Sequence, residues 1–215
     1  MPFPKAVLWD MDGVLADTSQ LHFKTWERVL IEYGIPFDRH KFHRIYGLKN
    51  QDLLPLLAGK PLDPSWMDWI SDQKELTYRQ SLPGLLPLPG VKNWLRRFKS
   101  WGWKQAVASS APIENVESLV EILKFRDYFD ALVTPGDLPG KPDPAVFLKA
   151  SRLLDIPARS CIVIEDSIPG IEAAMKASMR IIAVTTTNPP EALTQADIVV
   201  ETMDQLTINQ VESLF

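Results

Sequence analysis

The chain has 215 residues, 46% hydrophobic and 23% charged, with Lys+Arg 23 against Asp+Glu 27 and a net charge of -4. That balance supplies no basic surface for nucleic acid or anionic lipid, so neither is expected as a partner. Cys161 is the only cysteine, which excludes an intrachain disulfide; no apolar run approaches the roughly 20 residues of a membrane helix, and the N-terminal ten residues are too poor in apolar side chains for a signal peptide, so the expectation is a cytoplasmic protein of one or two domains.

The first predicted element is the strand "AVLWD", an apolar run that ends on Asp10 and continues through Asp12 and Gly13 in "VLWDMDGVLADT". Residues 17–81 carry no convincing strand. Helical spacing runs from Thr18 to Tyr33 through Leu21, Trp26, Val29 and Leu30, and again through "PSWMDWISDQKELTYRQSL" with Trp66, Trp69, Ile70 and Leu76. The segment reads as an all-helical insertion, closed by the Pro- and Gly-rich return "LPGLLPLPG". Within it His40 and His43, three apart in "DRHKFHR", lack a third ligand and read as a solvated face.

From there β-branched runs alternate with helical patterns: "KQAVASS", Pro112 to Leu123, "ALVT", Pro144 to Leu154, "CIVIED", Pro169 to Ala177 and "RIIAVT". Strands buried on both faces read as continuous apolar runs, and intervening helices make them parallel, so the layout is a doubly wound α/β sheet. Prolines 112, 144 and 169 suit first helical turns, with Asp143 and Ser167 as N-caps. The expected division is a core of residues 1–16 and 82–215 and a helical unit of residues 17–81.

In an open parallel sheet ligands sit at the carboxyl ends of the strands. Asp10 and Asp12 follow the first strand, Ser109 and Ser110 the next, Lys141 follows "ALVTPGDLPG", and Glu165 and Asp166 follow "CIVI". Each has a bland explanation alone, since Asp and Gly form turns and acidic residues favour helix N-termini. Together they would bring four carboxylates, hydroxyls and an ammonium to one crevice. Four carboxylates repel unless a cation sits among them, and an oxygen-only set favours a hard ion, Mg²⁺ being the usual one with phosphates.

A phosphoryl group would meet the metal, Lys141 and Ser109 at once, while one carboxylate attacks phosphorus in line. Asp10 is then the ionised nucleophile that forms an aspartyl phosphate, and Asp12 the acid for the leaving oxygen and base for the attacking water. Gly13 permits the turn between them.

These residues resemble the haloacid dehalogenase superfamily of aspartate-nucleophile phosphotransferases. "DMDGVLADT" is similar to its first motif, "VASS" to its second, "GKPDPAVF" to its third and "EDSIPGIEAA" to its fourth, in order and over nearly the whole chain. The resemblance implies a Rossmann-like core with a helical cap inserted after the first motif. It also implies Mg²⁺ held by Asp10, the backbone carbonyl of Asp12, and Asp166, with Glu165 close by. The insertion and "DTSQLHFKTW" look most similar to the β-phosphoglucomutase-like group of phosphatases and mutases, which places Thr18, His22 and Lys74 near the substrate. The mutase pattern carries an Arg in "G-x-x-R" for a second phosphate, where this chain has Asn50 in "GLKN", and Lys49 cannot reproduce a guanidinium's bidentate grip.

The expected function is therefore a Mg²⁺-dependent phosphatase of a small phosphorylated metabolite, a sugar phosphate, working as a monomer. A β-phosphoglucomutase-like mutase is the alternative. A receiver-type signalling module would put its acidic pair and its acceptor Asp on different strands, and a haloacid dehalogenation would leave Asp12 without a task.

Overall fold

The computed structural model of the chain describes residues 5–38, 40, 42 and 48–215. His43 lies outside these residues, and His40 is exposed. Six strands, β1 (Ala6–Trp9), β2 (Lys104–Ala108), β3 (Ala131–Val133), β4 (Cys161–Glu165), β5 (Arg180–Val184) and β6 (Ile198–Val200), form one sheet in the order β3-β2-β1-β4-β5-β6. Every pairing is parallel. The chain moves outward one way through β2 and β3, returns to β4 beside β1, and moves outward the other way; the reversal leaves a crevice over the carboxyl ends of β1 and β4.

The side-chain period of two divides each strand between the faces of this sheet. Val7, Trp9, Val107, Ile162, Ile164 and Ile182 are buried on one face. They pack with α4 (Val91–Ser100) through Trp94, Leu95 and Phe98 and with α5 (Ile113–Ile122) through Val116, Leu119 and Val120. Ala6, Leu8, Ala106, Ala108, Val163 and Ala183 are buried on the other. There α6 (Ala145–Leu154) contributes Val146, Phe147 and Ala150, and α7 (Ile168–Lys176) contributes Ile171, Ala173 and Ala174. A helix on each face explains why the strands alternate no polar residues.

A separate cluster of buried apolar side chains belongs to α1 (Ser19–Glu32), α2 (Asn50–Ala58) and α3 (Pro64–Gln80): Phe23, Trp26, Leu30, Leu53, Leu54, Leu57 and Ile70. The C-terminal end of α3 leaves this cluster, since Tyr78 packs with Leu15, Leu82 and the first face of the sheet. Short α8 (Ile208–Glu212) closes the described chain with a capping box at Thr207 and Gln210.

Several local readings shift. Asp143 and Pro144 sit one place earlier than expected: α6 begins at Ala145 with Pro144 in the cap position, while Asp143 Oδ1 still accepts the Ala145 N–H at 2.9 Å. Pro112 likewise occupies the cap of α5 rather than its first turn. Ser167 does cap α7, accepting from Gly170 N–H at 3.1 Å. Besides the short C-terminal α8, the sequence reading passed over three elements. These are α2, which runs through Pro55; α4, whose Val91, Trp94, Leu95 and Phe98 share one face; and the three-residue edge strand β6.

Candidate active site

Asp10 leaves β1 with its N–H bonded to Ile164 O at 2.9 Å, so the backbone ladder to β4 fixes its side chain at the crevice. The chain then turns tightly: Leu15 N–H bonds Met11 O at 2.9 Å, and Gly13, at φ 79°, bonds Ala16 O at 2.8 Å. Gly13 is needed twice. Its φ lies in the left-handed region, and a Cβ built on it would run into the Asp166 carboxylate. The bare backbone is what lets the end of β4 approach the first turn.

Lys141 is 2% exposed and donates to both Asp10 Oδ1 and Glu165 Oε1, the latter at 2.6 Å, with its ammonium 4.8 Å from the Phe147 ring centroid. Burial alone would lower its pKa, but Asp10 and Glu165 outweigh that and hold it well above an ordinary lysine. Glu165 Oε2 accepts Asp166 N–H at 2.7 Å, Ser167 N–H at 2.8 Å and Ser167 Oγ at 3.0 Å, so both its oxygens are engaged. Gly170 belongs to this arrangement, because a Cβ there would strike the Glu165 carboxylate. Asp166 is oriented by Thr187 Oγ1, which donates to its Oδ2 at 2.5 Å, and by Asn188, which donates to its backbone carbonyl at 2.9 Å.

The residues fit a hard divalent cation. Asp10, Glu165 and Asp166 each place a carboxylate oxygen within 4.8 Å of the others, all three are buried, and no nitrogen or sulfur ligand joins them among the described residues. One ammonium against three carboxylates leaves a net charge near -2 on largely buried side chains. The protein's own response is to hold protons: burial, reinforced by Glu165 and only partly opposed by Lys141, pushes Asp10 up to about 7. Burial with Glu165 and Asp10 pushes Asp166 well above the carboxylate range. A bound dication would remove that penalty.

Asp12 has a different environment. Its carboxylate is not one of the clustered three, although all four carboxylates line the same crevice. Its Oδ1 accepts from Thr18 Oγ1 at 2.6 Å, His22 Nε2 at 3.1 Å and Tyr78 Oη at 3.2 Å. Burial raises its pKa, but His22, Thr18 and Lys74 outweigh burial and hold it below the usual value. Lys74 Nζ stands 2.9 Å from His22 Nδ1. An ammonium can only donate, so Nδ1 accepts and the His22 proton sits on Nε2, facing Asp12. His22 also stacks on Tyr78, centroids 4.3 Å apart, and Tyr78 is raised well above 10 by burial and then by Asp12.

The network runs on. Lys74 donates to Glu75 Oε1 at 2.9 Å, Asn50 Nδ2 donates to the same oxygen at 2.6 Å, and Asn115 Nδ2 donates to Oε2. Asn50 is therefore spent on Glu75. Lys49 reaches across to the loop after β3, donating to Gly136 O at 2.8 Å and Leu138 O at 3.0 Å.

All eleven residues singled out from the sequence, apart from Thr18, line one cavity of about 590 Å³, and Thr18 is tied to Asp12 beneath it. Ser109 is buried there, its N–H held by Val133 O at 3.1 Å and its Oγ accepting Ala111 N–H at 3.1 Å. Tyr78, Glu75, Asn115, Thr187 and Asn188 were missed. The last two stand in "TTTN" after β5, a strand-end position like those that were read.

Three comparisons bear on this geometry. A family model described as haloacid dehalogenase-like hydrolase matches residues 7–184. Among curated proteins the chain is 32% identical over 213 residues to a β-phosphoglucomutase of Bacillus subtilis, covering 95% of this chain and 92% of that one. It is also 32% identical over 202 residues to a phosphorylated carbohydrates phosphatase of Thermotoga maritima, covering 91% and 92%. A solved β-phosphoglucomutase from Clostridium difficile superposes with a TM-score of 0.90 at 24% identity, covering 99% of this chain and 97% of that one.

Proposed function

We propose an activity from the premise that this chain belongs to the haloacid dehalogenase-like hydrolase family, whose match spans residues 7–184. It is an enzyme of phosphoric monoester chemistry, in a group that contains phosphatases and a phosphomutase. Our reading is a Mg²⁺-dependent phosphatase that hydrolyses a small phosphorylated metabolite, a sugar phosphate, through an aspartyl phosphate on Asp10.

The observation that carries it is the opposed setting of two carboxylates two residues apart. Asp10 faces Lys141 among the acidic cluster, and Asp12 faces Thr18, His22 and Tyr78. Asp10, Asp166 and the backbone carbonyl of Asp12 would hold the ion, with Glu165 behind, positioning Lys141. Bound Mg²⁺ supplies charge neutralisation for an anion approaching an anion. In the first step an Asp10 oxygen bonds phosphorus as the bond to the leaving oxygen breaks, and Asp12 delivers a proton to that oxygen. In the second, water attacks phosphorus, its proton passes to Asp12, and the Asp10–phosphorus bond breaks, releasing inorganic phosphate.

The donors around Asp12 favour its anion, which suits the second step. Approach of the phosphate dianion raises its pKa, as a like charge does, which suits the first. Lys141 would steady the phosphoryl oxygens together with Ser109, and Ser110 stands beside it in the cavity wall. Residues 17–81 would act as a cap that excludes bulk water, with Lys49 joining it to the loop after β3.

The test is release of inorganic phosphate from a panel of phosphate monoesters with Mg²⁺. Turnover by the native chain and none above background by Asp10→Asn is expected; equal rates in the two refute the reading. The mutase alternative draws on the Bacillus subtilis relative. Against it stands Asn50, whose amide is held by Glu75 at 2.6 Å where a second phosphate would need a cation.

A further inference from the structure

Two contacts between the helical unit and the sheet domain lie away from Asp12, and they differ in kind. On α3, Glu75 and Arg79 take both ends of the Asn115 amide of α5: Asn115 Nδ2 donates to Glu75 Oε2, and Arg79 donates to Asn115 Oδ1 at 2.9 Å. Asn115 and Glu75 are buried, and both oxygens of the carboxylate are bonded. Breaking such a junction would leave a charge and an amide unpaired, so it stays made.

The second contact is made by Lys49, which holds the N-cap position of α2 and lines the cavity. Its Nζ donates to Gly136 O at 2.8 Å and Leu138 O at 3.0 Å, in an exposed setting, and it forms no ion pair among the described residues. Its stem lies along Gly140, where a Cβ would stand 2.6 Å from Lys49 Cγ and 2.7 Å from Cδ. Gly140 is not among the glycines with positive φ, so the backbone does not demand a glycine there. What the missing side chain leaves is a groove for the lysine. With the ammonium pinned by two carbonyls, the stem cannot swing clear of that groove without withdrawing the ammonium as well. Gly140 is followed directly by Lys141, whose ammonium meets Asp10 and Glu165.

We propose that residues 134–140 form a socket for the Lys49 side chain, and that Lys49 is a positioning residue which holds the cap closed over Asp10 and Lys141 rather than a ligand of the substrate. This rests on the phosphatase reading above and adds to it the contact that closes the site. A lysine in a carbonyl socket suits a contact made and broken in each turnover. Seated, the ammonium exchanges water for two neutral carbonyls; released, it is hydrated again, so neither state is strongly preferred. The Asn115 junction, by contrast, is buried and charged and serves as the fixed side about which the Lys49 side opens.

The experiment measures kcat/KM with saturating Mg²⁺ for glucose 6-phosphate, glycerol 3-phosphate and p-nitrophenyl phosphate, together with melting temperature and amide hydrogen exchange over residues 134–140. The proteins are the native chain, Lys49→Met, Lys49→Ala, Gly140→Ala and the Lys49→Ala, Gly140→Ala double variant. Lys49→Met keeps the stem and loses the ammonium. It should lower kcat/KM by roughly three- to tenfold, by the same factor for all three esters, speed exchange in the socket and leave the melting temperature close to native. Gly140→Ala alone should cost at least as much, yet add nothing to Lys49→Ala, because without the stem its Cβ has nothing to strike. Native rates in Lys49→Met overturn the proposal, as does a loss that tracks a lowered melting temperature. A loss confined to one ester makes Lys49 a substrate ligand, and additive losses in the double variant mean that Gly140 acts through Lys141 alone; either result also overturns it. No turnover of any ester by the native chain above that of Asp10→Asn is a different failure: it removes the phosphatase reading, and the positioning role with it.

Discussion

Metal-free protein should lose stability as pH rises from 5 to 8, and Mg²⁺ should abolish that loss. Asp10 carries the effect, because burial, reinforced by Glu165 and Asp12 and only partly opposed by Lys141, raises its pKa from an ordinary 3.8 to about 7. A group whose folded pKa lies above its unfolded value stabilises fully below the unfolded pKa and loses that contribution as pH climbs through the folded one. Integrating the proton difference between pH 5 and 8 for those two values gives on the order of 2–3 kcal/mol lost from Asp10 alone. For a chain of this length that is a fall of roughly 5–10 °C in melting temperature. Asp166, raised by burial and by the same neighbours, acts in the same direction.

The other clear carboxylate shifts do not oppose this. Asp12, Glu75 and Asp130 are all lowered, so their stabilisation is present above their unfolded pKa values and already complete by about pH 5. Lys141, raised, contributes evenly across the whole window. Mg²⁺ needs ionised ligands, so saturating metal displaces the protons and flattens the slope, and the apparent Mg²⁺ affinity should fall by up to about tenfold per pH unit below 7 for each proton displaced. The assay is chemical or thermal denaturation in chelator, at pH 5 to 8, repeated in millimolar Mg²⁺ and with Asp10→Asn. A metal-free stability that is flat or rises over this range, or an Asp10→Asn protein with the native slope, refutes the account.

Four further outcomes follow, three from single contacts and one from removal of the metal. Gly13→Ala places a Cβ at φ 79° and against the Asp166 carboxylate, so it should cost about 1–2 kcal/mol of stability and at least tenfold in Mg²⁺ affinity, read by denaturation and by titration of the metal. Tyr78→Phe removes one of the three donors to Asp12 at 3.2 Å; since the donor favours the anion, the pKa of Asp12 should rise and the pH profile of kcat/KM should shift upward, with a rate loss of less than about tenfold. Chelation should stop phosphate release and added Mg²⁺ restore it, whereas Thr187→Val, which frees Asp166 Oδ2, should raise the Mg²⁺ requirement several-fold with little change in kcat at saturation.

What the sequence disclosed was governed by range. The sheet was legible because its strands are buried on both faces and write themselves as unbroken apolar runs, and the strand-end carboxylates, Ser109 and Lys141 were legible because topology alone delivers strand ends to one crevice. The helix Val91–Ser100 carried a plain signal at positions 91, 94, 95 and 98 that the proline-rich stretch before it masked, and Pro55 hid α2, whose remaining turns are held by the packing of Leu53, Leu54 and Leu57.

The separate tasks of Asp10 and Asp12 were legible, but the partners of Asp12 were not. Only the meeting of α1 and α3 over the first turn brings Thr18, His22 and Tyr78 together on its carboxylate. Glu75 and Asn115 are further examples: 40 positions apart, ordinary as a helix-surface pair on any pattern count, they acquire meaning only when the Glu75 carboxylate is found buried between Lys74, Asn50 and Asn115. Burying that carboxylate is tolerable because each oxygen is bonded, and its anchorage in turn fixes Lys74, hence the His22 tautomer, hence the proton presented to Asp12. The setting of Asp12 thus depends on a chain of contacts running back through His22 and Lys74 to Glu75, while Asp10 is set by the strand that carries it.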